Sequence, residues 1–400
     1  MSDITFEYQK LKHCVNLSNI KRPLTNEVYI GMENVESGSG RYIPSEEQLA
    51  EGLSNEFSSG DVLFGKLRPY LAKCVIPDFD GLCSSEFLVL RNFRGCNRYL
   101  KYWLLSAPVI DSINASTYGA KMPRANWEFI SELKLPMFEE IVQERIANYL
   151  DQKTAAIENV ILEKKKEIQL LQEYRINAIC SAVTKGIDQF VDTKVSGVEW
   201  LGEIPVHWEV VPAKALFSQS KETRHENDVQ LTASQKYGII SQEDYMALQN
   251  SKIVLADKGL ENWKHVEPND FIISLRSFQG GLEISYIPGC ITWHYIVLKP
   301  SAAVDPEYFK WLFKSPRYIQ ALQRTANFIR DGQDLRFSNF VQVPLPLIPM
   351  DEQREIAEYL NRETARIDGI IADVTEQIEK LKEYRQSIIS EVVTGKVAVE

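Results

Sequence analysis

Residues Gln143–Thr184 read QERIANYLDQKTAAIENVILEKKKEIQLLQEYRINAICSAVT, and Gln353–Thr394 read QREIAEYLNRETARIDGIIADVTEQIEKLKEYRQSIISEVVT. Laid over one another without gaps, 17 of the 42 positions are identical. The offset of 210 residues is far beyond the roughly 20–50-residue period of a solenoid. Two whole modules have been joined, each ending in the same long helix. In the first copy Leu150, Thr154, Ile157, Ile161, Lys164, Ile168, Leu171, Arg175, Ala178 and Ala182 fall at alternating steps of four and three. Leu360, Thr364, Ile367, Ile371, Val374, Ile378, Leu381, Arg385, Ile388 and Val392 repeat the register. This is an a/d seam, the pattern that makes helices wrap around one another. At 1.5 Å per residue each helix is roughly 60 Å long. Neither can hide its stripe alone, and each has one obvious partner in the chain.

The predicted fold class is therefore α+β: two globular domains joined by two long antiparallel coiled-coil helices with pseudo-twofold symmetry. The expected segments are 1–138, a central helix over 139–186, a linker with the second domain over 187–348, and a final helix over 349–400. Proline precedes each helix (Pro136; Pro346 and Pro349), and Gly186 and Gly395 lie just past the ends. The cations Lys164, Arg175 and Arg385 interrupt the seam. They either snorkel or sit at a splayed end, or they fix register or meet a partner subunit.

Outside the helices the modules share fragments. Gly60–Arg68 parallels Asn269–Arg276, Gly81–Arg91 parallels Gly289–Lys299, and Tyr99–Trp103 parallels Tyr308–Leu312. The first two are β-branched and aromatic runs bounded by turn residues and read as strands, the third as a short helix. Each module is predicted to have the same core and a different surface. Such a chain suits two different short signals at a fixed separation.

The divergent loops carry groups that contact DNA. After the first shared strand come Lys66, Arg68 and Tyr70, against Arg276, Ser277 and Gln279; before each long helix come Lys121, Arg124, Asn126 and Trp127, against Arg330, Gln333, Arg336 and Asn339. Arg and Lys bond guanine O6/N7, Asn and Gln bond adenine N6/N7, and further cations hold phosphates. Any one of them could instead be a solvated charge or a local ion pair. The net charge is −10, but residues 1–138 and 200–348 each carry 15 basic and 16 acidic side chains. The helices and their flanks carry 15 against 23. A basic face on each module is thus compatible with an acidic chain.

Six scattered cysteines without CxxC, no secretory signal and no membrane-length apolar run predict a cytoplasmic protein with reduced thiols. No Walker A motif, adenine-methylase tetrapeptide or Gly-x-Ser-x-Gly elbow occurs, and the one GxG, Gly38-Ser39-Gly40, lies in a polar loop. The five histidines form no HxH or HxxxH pair, so no metal site is expected. Pro77-Asp78 with Glu86 faintly matches a nuclease metal site, without its lysine. No catalytic centre is read.

Val198-Glu199-Trp200-Leu201-Gly202-Glu203-Ile204-Pro205-Val206-His207-Trp208, Leu345-Pro346 with Glu352-Gln353, and Leu381-Lys382-Glu383-Tyr384-Arg385 resemble the specificity subunit of type I restriction-modification systems, over essentially the whole chain. The first module departs: it has no Trp-Leu-Gly opening, and Glu140-Ile141-Val142-Gln143 replaces Asp351-Glu352-Gln353. The resemblance implies a non-catalytic subunit whose two target-recognition domains read the halves of a bipartite double-stranded DNA site, with the helices as a ruler. It also implies two methyltransferase subunits and restriction subunits as partners. S-adenosylmethionine, ATP and Mg belong to those subunits, and this chain holds no cofactor. The alternative is a coiled-coil adaptor with two protein-binding modules and no DNA contact.

Overall fold

Val62-Leu63-Phe64-Gly65 is an unbroken apolar run, and all four residues are buried, as a central strand covered on both faces requires. In the computed structural model, which describes residues 6–25, 27–44, 52–119, 121–188, 190–249, 259–274, 277–325, 335–397 and 399, this strand lies inside a four-stranded antiparallel sheet. Its order is Asn16–Ser18, Phe87–Arg91, Val62–Gly65, Cys74–Val75. The chain divides into two units, Met1–Lys166 with Val374–Glu400, and Glu167–Asp373. The second unit has a sheet of the same order, built from Phe217–Gln219, Ile296–Pro300, Phe271–Ile273 and Glu283–Ile284. A helix pair follows each sheet, Asn97–Leu105 with Ala107–Ala115 and Pro306–Lys314 with Pro316–Arg324. A short helix comes next, Trp127–Ile130 or Phe337–Phe340. A strand then leads into the long helix, Lys134–Met137 or Leu345–Leu347.

The second sheets differ. In the first unit four strands pair in the order Lys21–Pro23, Leu53–Phe57, Gly81–Cys83, Tyr29–Ile30. In the second unit Lys264–Val266 pairs with Gly289–Ile291, and Leu231–Ser234 pairs separately with Gly238–Ser241. The runs Gly81–Arg91 and Gly289–Lys299 are each two strands of different sheets, broken by a turn. Phe87 N donates to Ser84 O at 2.9 Å and Tyr295 N to Thr292 O at 3.0 Å.

The long helices are Glu140–Lys185 and Met350–Val393, and each ends on a glycine with positive φ, +75° at Gly186 and +72° at Gly395. Within each unit the beginning of one helix lies beside the end of the other. In the first, Gly395 approaches the Phe138 ring and Arg385 pairs with Glu158. In the second, Gly186 approaches Glu352, and Arg175 Nε and Nη2 grip Asp368 at 2.9 and 3.2 Å. The helix segments of each unit are thus antiparallel. Every seam position is buried or half-buried. The arginine pairs are one pair repeated 210 residues apart, so these cations join the helices instead of snorkelling. Lys164 is half-buried in the seam.

The repeat begins at a glutamine for a physical reason. Gln143 and Gln353 are both 1% exposed. Their Nε2 groups donate to Phe138 O and Ile348 O at 2.8 and 2.9 Å, and their Oε1 atoms accept from Cys96 N and Asp305 N at 3.1 and 2.7 Å. Tyr99 OH donates to Val393 O at 3.2 Å and Tyr308 OH to Val183 O at 2.8 Å, tying each module to the end of the other helix. In the second unit, Trp208 Nε1 donates to Glu352 Oε1 at 3.0 Å and His207 Nε2 lies 2.8 Å from Glu352 Oε2. The first module lacks both the tryptophan motif and the glutamate, which is replaced by Val142. Its two departures from the pattern are the two sides of one missing contact.

Burial separates the repeated arginines. The Arg385 side chain is 8% exposed and Glu158 26%, against 31% for Arg175 and 55% for Asp368. Removing one member of a buried pair strands its partner's charge. Arg385→Ala should therefore cost about 3 kcal/mol, and Arg175→Ala about 1 kcal/mol or less. Denaturant unfolding of both variants measures this, and equal losses would contradict the burial argument.

Candidate nucleic-acid interface

In the first unit the backbone joins two clusters that are far apart in sequence. Beyond the Val62–Gly65 strand, Arg68 N donates to Pro123 O at 2.8 Å, and Ala125 N donates to Lys66 O at 2.9 Å. Tyr118 and Arg124 exchange backbone hydrogen bonds at 3.1 and 3.3 Å. Arg68 adopts the left-handed conformation, φ 50° and ψ 63°, ahead of the Pro69–Leu71 turn. A non-glycine residue holds this conformation only where surrounding contacts enforce it. The kink leaves Arg68 and Tyr70 exposed beside Tyr118, Lys121 and Asn126, with Lys66, Arg124 and Trp127 half-buried. One surface thus gathers basic and aromatic groups.

Some of these groups have structural work. Arg124 Nε and Nη2 grip the Glu86 carboxylate at 3.0–3.2 Å. Hydrogen bonding to Glu86, then its Coulombic attraction, raises the Arg124 pKa further. The same pair accounts for Glu86, which the sequence set beside Asp78 as a faint metal site. Asn126 caps the Trp127–Ile130 helix, its Oδ1 accepting from Phe129 N at 2.9 Å. Its Nδ2 end is the part left for another partner.

The second unit places its candidates differently. Ser277 is 1% exposed and its Oγ accepts from Ser274 N at 2.9 Å, so it belongs to a turn and not to the exposed surface. Gln279 is exposed. Arg336 is exposed at the start of the Phe337–Phe340 helix, the position of Asn126 in the first unit. Asn339 spends its carboxamide internally, Oδ1 on Arg336 N at 3.0 Å and Nδ2 on Thr325 O at 2.6 Å. Arg276, Arg330 and Gln333 lie outside the described residues.

Sequence reading missed the turn Thr292–Tyr295. Trp293 is 54% exposed and its ring stacks on His294, centroids 3.5 Å apart. The turn corresponds to Ser84–Glu86, whose Glu86 O accepts from Lys66 N at 2.9 Å. It was hidden because its aromatic residues extend the apparent strand Gly289–Lys299. Its two ring faces can stack on bases or sugars.

The sequence model of the family described as type I restriction modification DNA specificity domain matches residues 205–380. That match places the similarity in the second unit and the final helix. The chain is similar to the type I restriction enzyme EcoDI specificity subunit of Escherichia coli, 28% identical over 124 residues, 30% of this chain and 28% of that protein. With the MjaVIII specificity subunit of Methanocaldococcus jannaschii it is 21% identical over 309 residues, 72% of this chain and 68% of that one. The fold matches a chain from a structural study of complex assembly and conformational transition of the type I R-M system, TM-score 0.73 at 18% identity, covering 98% of both. It also matches the HsdS subunit of Thermoanaerobacter tengcongensis, TM-score 0.55 at 18% identity, covering 98% of this chain and 97% of that one. Among the described residues no helix is long and apolar enough to cross a membrane.

The cap gives Asn126 a testable role. Asn126→Ala should cost about 1 kcal/mol of stability, while Asn126→Ser, which keeps the cap, should restore it. If Asn126 only caps, the methylated sequence stays the same in both variants. A changed half-site in the stable Asn126→Ser variant would show that Nδ2 reads a base.

Proposed function

We propose that this chain is a type I restriction-modification specificity subunit that reads a bipartite, asymmetric double-stranded DNA site, one half with each unit, and directs modification and restriction subunits to it. The observation that carries the reading is the joining of Lys66–Tyr70 to Lys121–Trp127 into one exposed basic and aromatic surface. Lys66, Arg68, Tyr70 and Lys121 are the readers and phosphate contacts of the first unit, with Arg124 held in place by Glu86. Gln279, Arg336 and the Trp293–His294 stack serve the second unit, and Arg276, Arg330 and Gln333 stay candidates on their sequence alone. Ser277 and Asn339 have structural roles, in the Ser274–Ser277 turn and in bonds to Arg336 N and Thr325 O. Phosphate contacts give affinity and position, and base-edge contacts give sequence.

The long helices carry the acidic excess and a shared surface, which suits docking of two methyltransferase subunits, one per repeat. Restriction subunits complete the assembly. S-adenosylmethionine, ATP and Mg²⁺ are assigned to those partners. Helix length then sets the spacer between half-sites. One heptad adds about 10 Å of helix, or about three base pairs of duplex.

Methylome sequencing of cells carrying the subunit with its methyltransferase partner tests both parts. Lys66→Ala or Arg68→Ala should alter or relax only one half-site, and Trp293→Ala or Gln279→Ala only the other. A simultaneous change in both halves would defeat modular reading. One heptad inserted in the first long helix should lengthen or abolish the recognised spacer while both half-sites stay as they were. Recovery of the original spacer would sink the ruler. DNA binding by the complex should weaken steeply with salt through counterion release, and salt-independent behaviour would favour a protein adaptor.

A further inference from the structure

Two histidines that are 40 residues apart in sequence meet in the second unit. His225 and His265 stack with ring centroids 3.8 Å apart and planes 25° apart. The backbone brings them together: His265 N donates to Glu222 O at 3.1 Å, and Arg224 N donates to Trp263 O at 2.9 Å. His265 is 3% exposed. Its Nδ1 lies 2.8 Å from Asp228 Oδ2 and its Nε2 lies 2.8 Å from Glu267 Oε1. Asp228 is fixed in turn, its Oδ2 accepting from His225 N at 2.7 Å. Glu222 Oε1 lies 3.0 Å from His225 Nε2. Ligand-capable atoms of Glu222, His225 and His265 all fall within 4.8 Å of one another.

We propose that Glu222, His225 and His265 form a binding site for a divalent transition-metal ion of the zinc class, with Asp228 orienting His265 through Nδ1. Two imidazoles and a carboxylate are a donor set that zinc takes tetrahedrally, and Glu267 or water supplies the fourth position. A carboxylate on the far ring nitrogen is the usual second partner of a metal-bound histidine: it fixes the tautomer and strengthens the ligand. Charge points the same way. Glu222, Asp228, Glu267 and Asp270 gather here, and Lys299 answers them at 3.0 Å from Asp270 and 4.0 Å from Glu222. Arg224 directs its guanidinium to the backbone carbonyls of His225 and Glu226. A dication balances the excess of carboxylates.

Mobility is placed where assembly needs it. Tetrahedral ligand atoms sit about 3.3 Å apart, so the pre-arranged set must contract. His265 is the buried anchor, while the side chains of His225 and Glu222 are 54% and 46% exposed and can swing inward, His225 leaving its stack. On metal binding, Nε2 of His265 gives up its proton or its contact with Glu267 to the ion. The ion would staple the 222–228 segment to the Lys264–Val266 strand. That strand belongs to the second sheet, where the two units differ most.

The test is calorimetric titration of Zn²⁺, and separately Mg²⁺, into the full chain. The expected result is one Zn²⁺ per chain and no Mg²⁺ uptake at the same concentrations. His225→Ala and Glu222→Gln should each weaken Zn²⁺ by about tenfold or more, while His13→Ala should not. Both substituted side chains are exposed, and unchanged circular dichroism separates ligand loss from unfolding. No Zn²⁺ uptake by the unaltered chain, uptake undiminished in His225→Ala, or Mg²⁺ bound as tightly as Zn²⁺ would each overturn the site.

Discussion

A buried carboxamide has to satisfy its hydrogen bonds where it stands, and Gln143 and Gln353 do so at the point where each long helix leaves its module. Each bonds backward to a carbonyl just before its own helix and sideways to the amide that opens a module helix or its cap. The helix can then neither rotate nor slide against the module without stranding a donor and an acceptor, at about 1–3 kcal/mol apiece. Everything further along the helix inherits that rotation. Within each unit it decides that Ile157 and Ile161, and Ile367, lie in the seam. It also decides that Glu158 and Asp368 stand opposite an arginine. The tyrosine hydroxyls of Tyr99 and Tyr308 close the arrangement from the other helix's end.

The helices and the shared strands were legible because their signal is periodic and redundant. An a/d stripe over many turns, or an apolar run such as Val62–Gly65, survives the ambiguity of any single residue. The candidate readers were less legible for the opposite reason. The carboxamide that can bond adenine is the same group that caps a helix, and Asn126 and Asn339 both spend part or all of it on backbone. Ser277 has the right hydroxyl, but it is buried in a turn. Arg124 and Glu86 lie 38 residues apart, and only the pairing of Lys66–Arg68 with Pro123–Ala125 makes them neighbours. The histidine pair was invisible for the same reason: its spacing has no motif, and backbone bonds between Glu222–Arg224 and Trp263–His265 create it.

The glycines of Gly38-Ser39-Gly40 show how a motif is absorbed by the fold. Both take positive φ, and a side chain at Gly40 would collide with the Cys74 carbonyl, so the turn needs glycine for its own close approach. The sheets show a similar division. The first sheet keeps its strand order in both units because it carries the helix pair and the lock to the long helix. The second sheet has no such duty and has diverged in strand number and pairing. Variation therefore collects there and in the adjoining turns, which are also the loops free to differ between the two units.

The Glu352 clamp gives the clearest case of residues that must change together. Past Gly186 the chain forms the paired strands Thr193–Val195 and Glu203–Pro205 before the Glu209–Val211 strand, which pairs with Leu345–Leu347. Gly186 packs against both Glu352 and Trp208, so a β-carbon there would press on the clamp as well as strain the backbone. Trp200 Nε1 holds Pro344 O at 3.1 Å, and Trp208 with His207 holds Glu352. Without the two donors, Glu352 would be a half-buried carboxylate short of partners; without Glu352, the buried indole N–H of Trp208 would be stranded. Replacing either side alone would strand the other, and the first module carries neither, with the apolar Val142 at the position that matches Glu352.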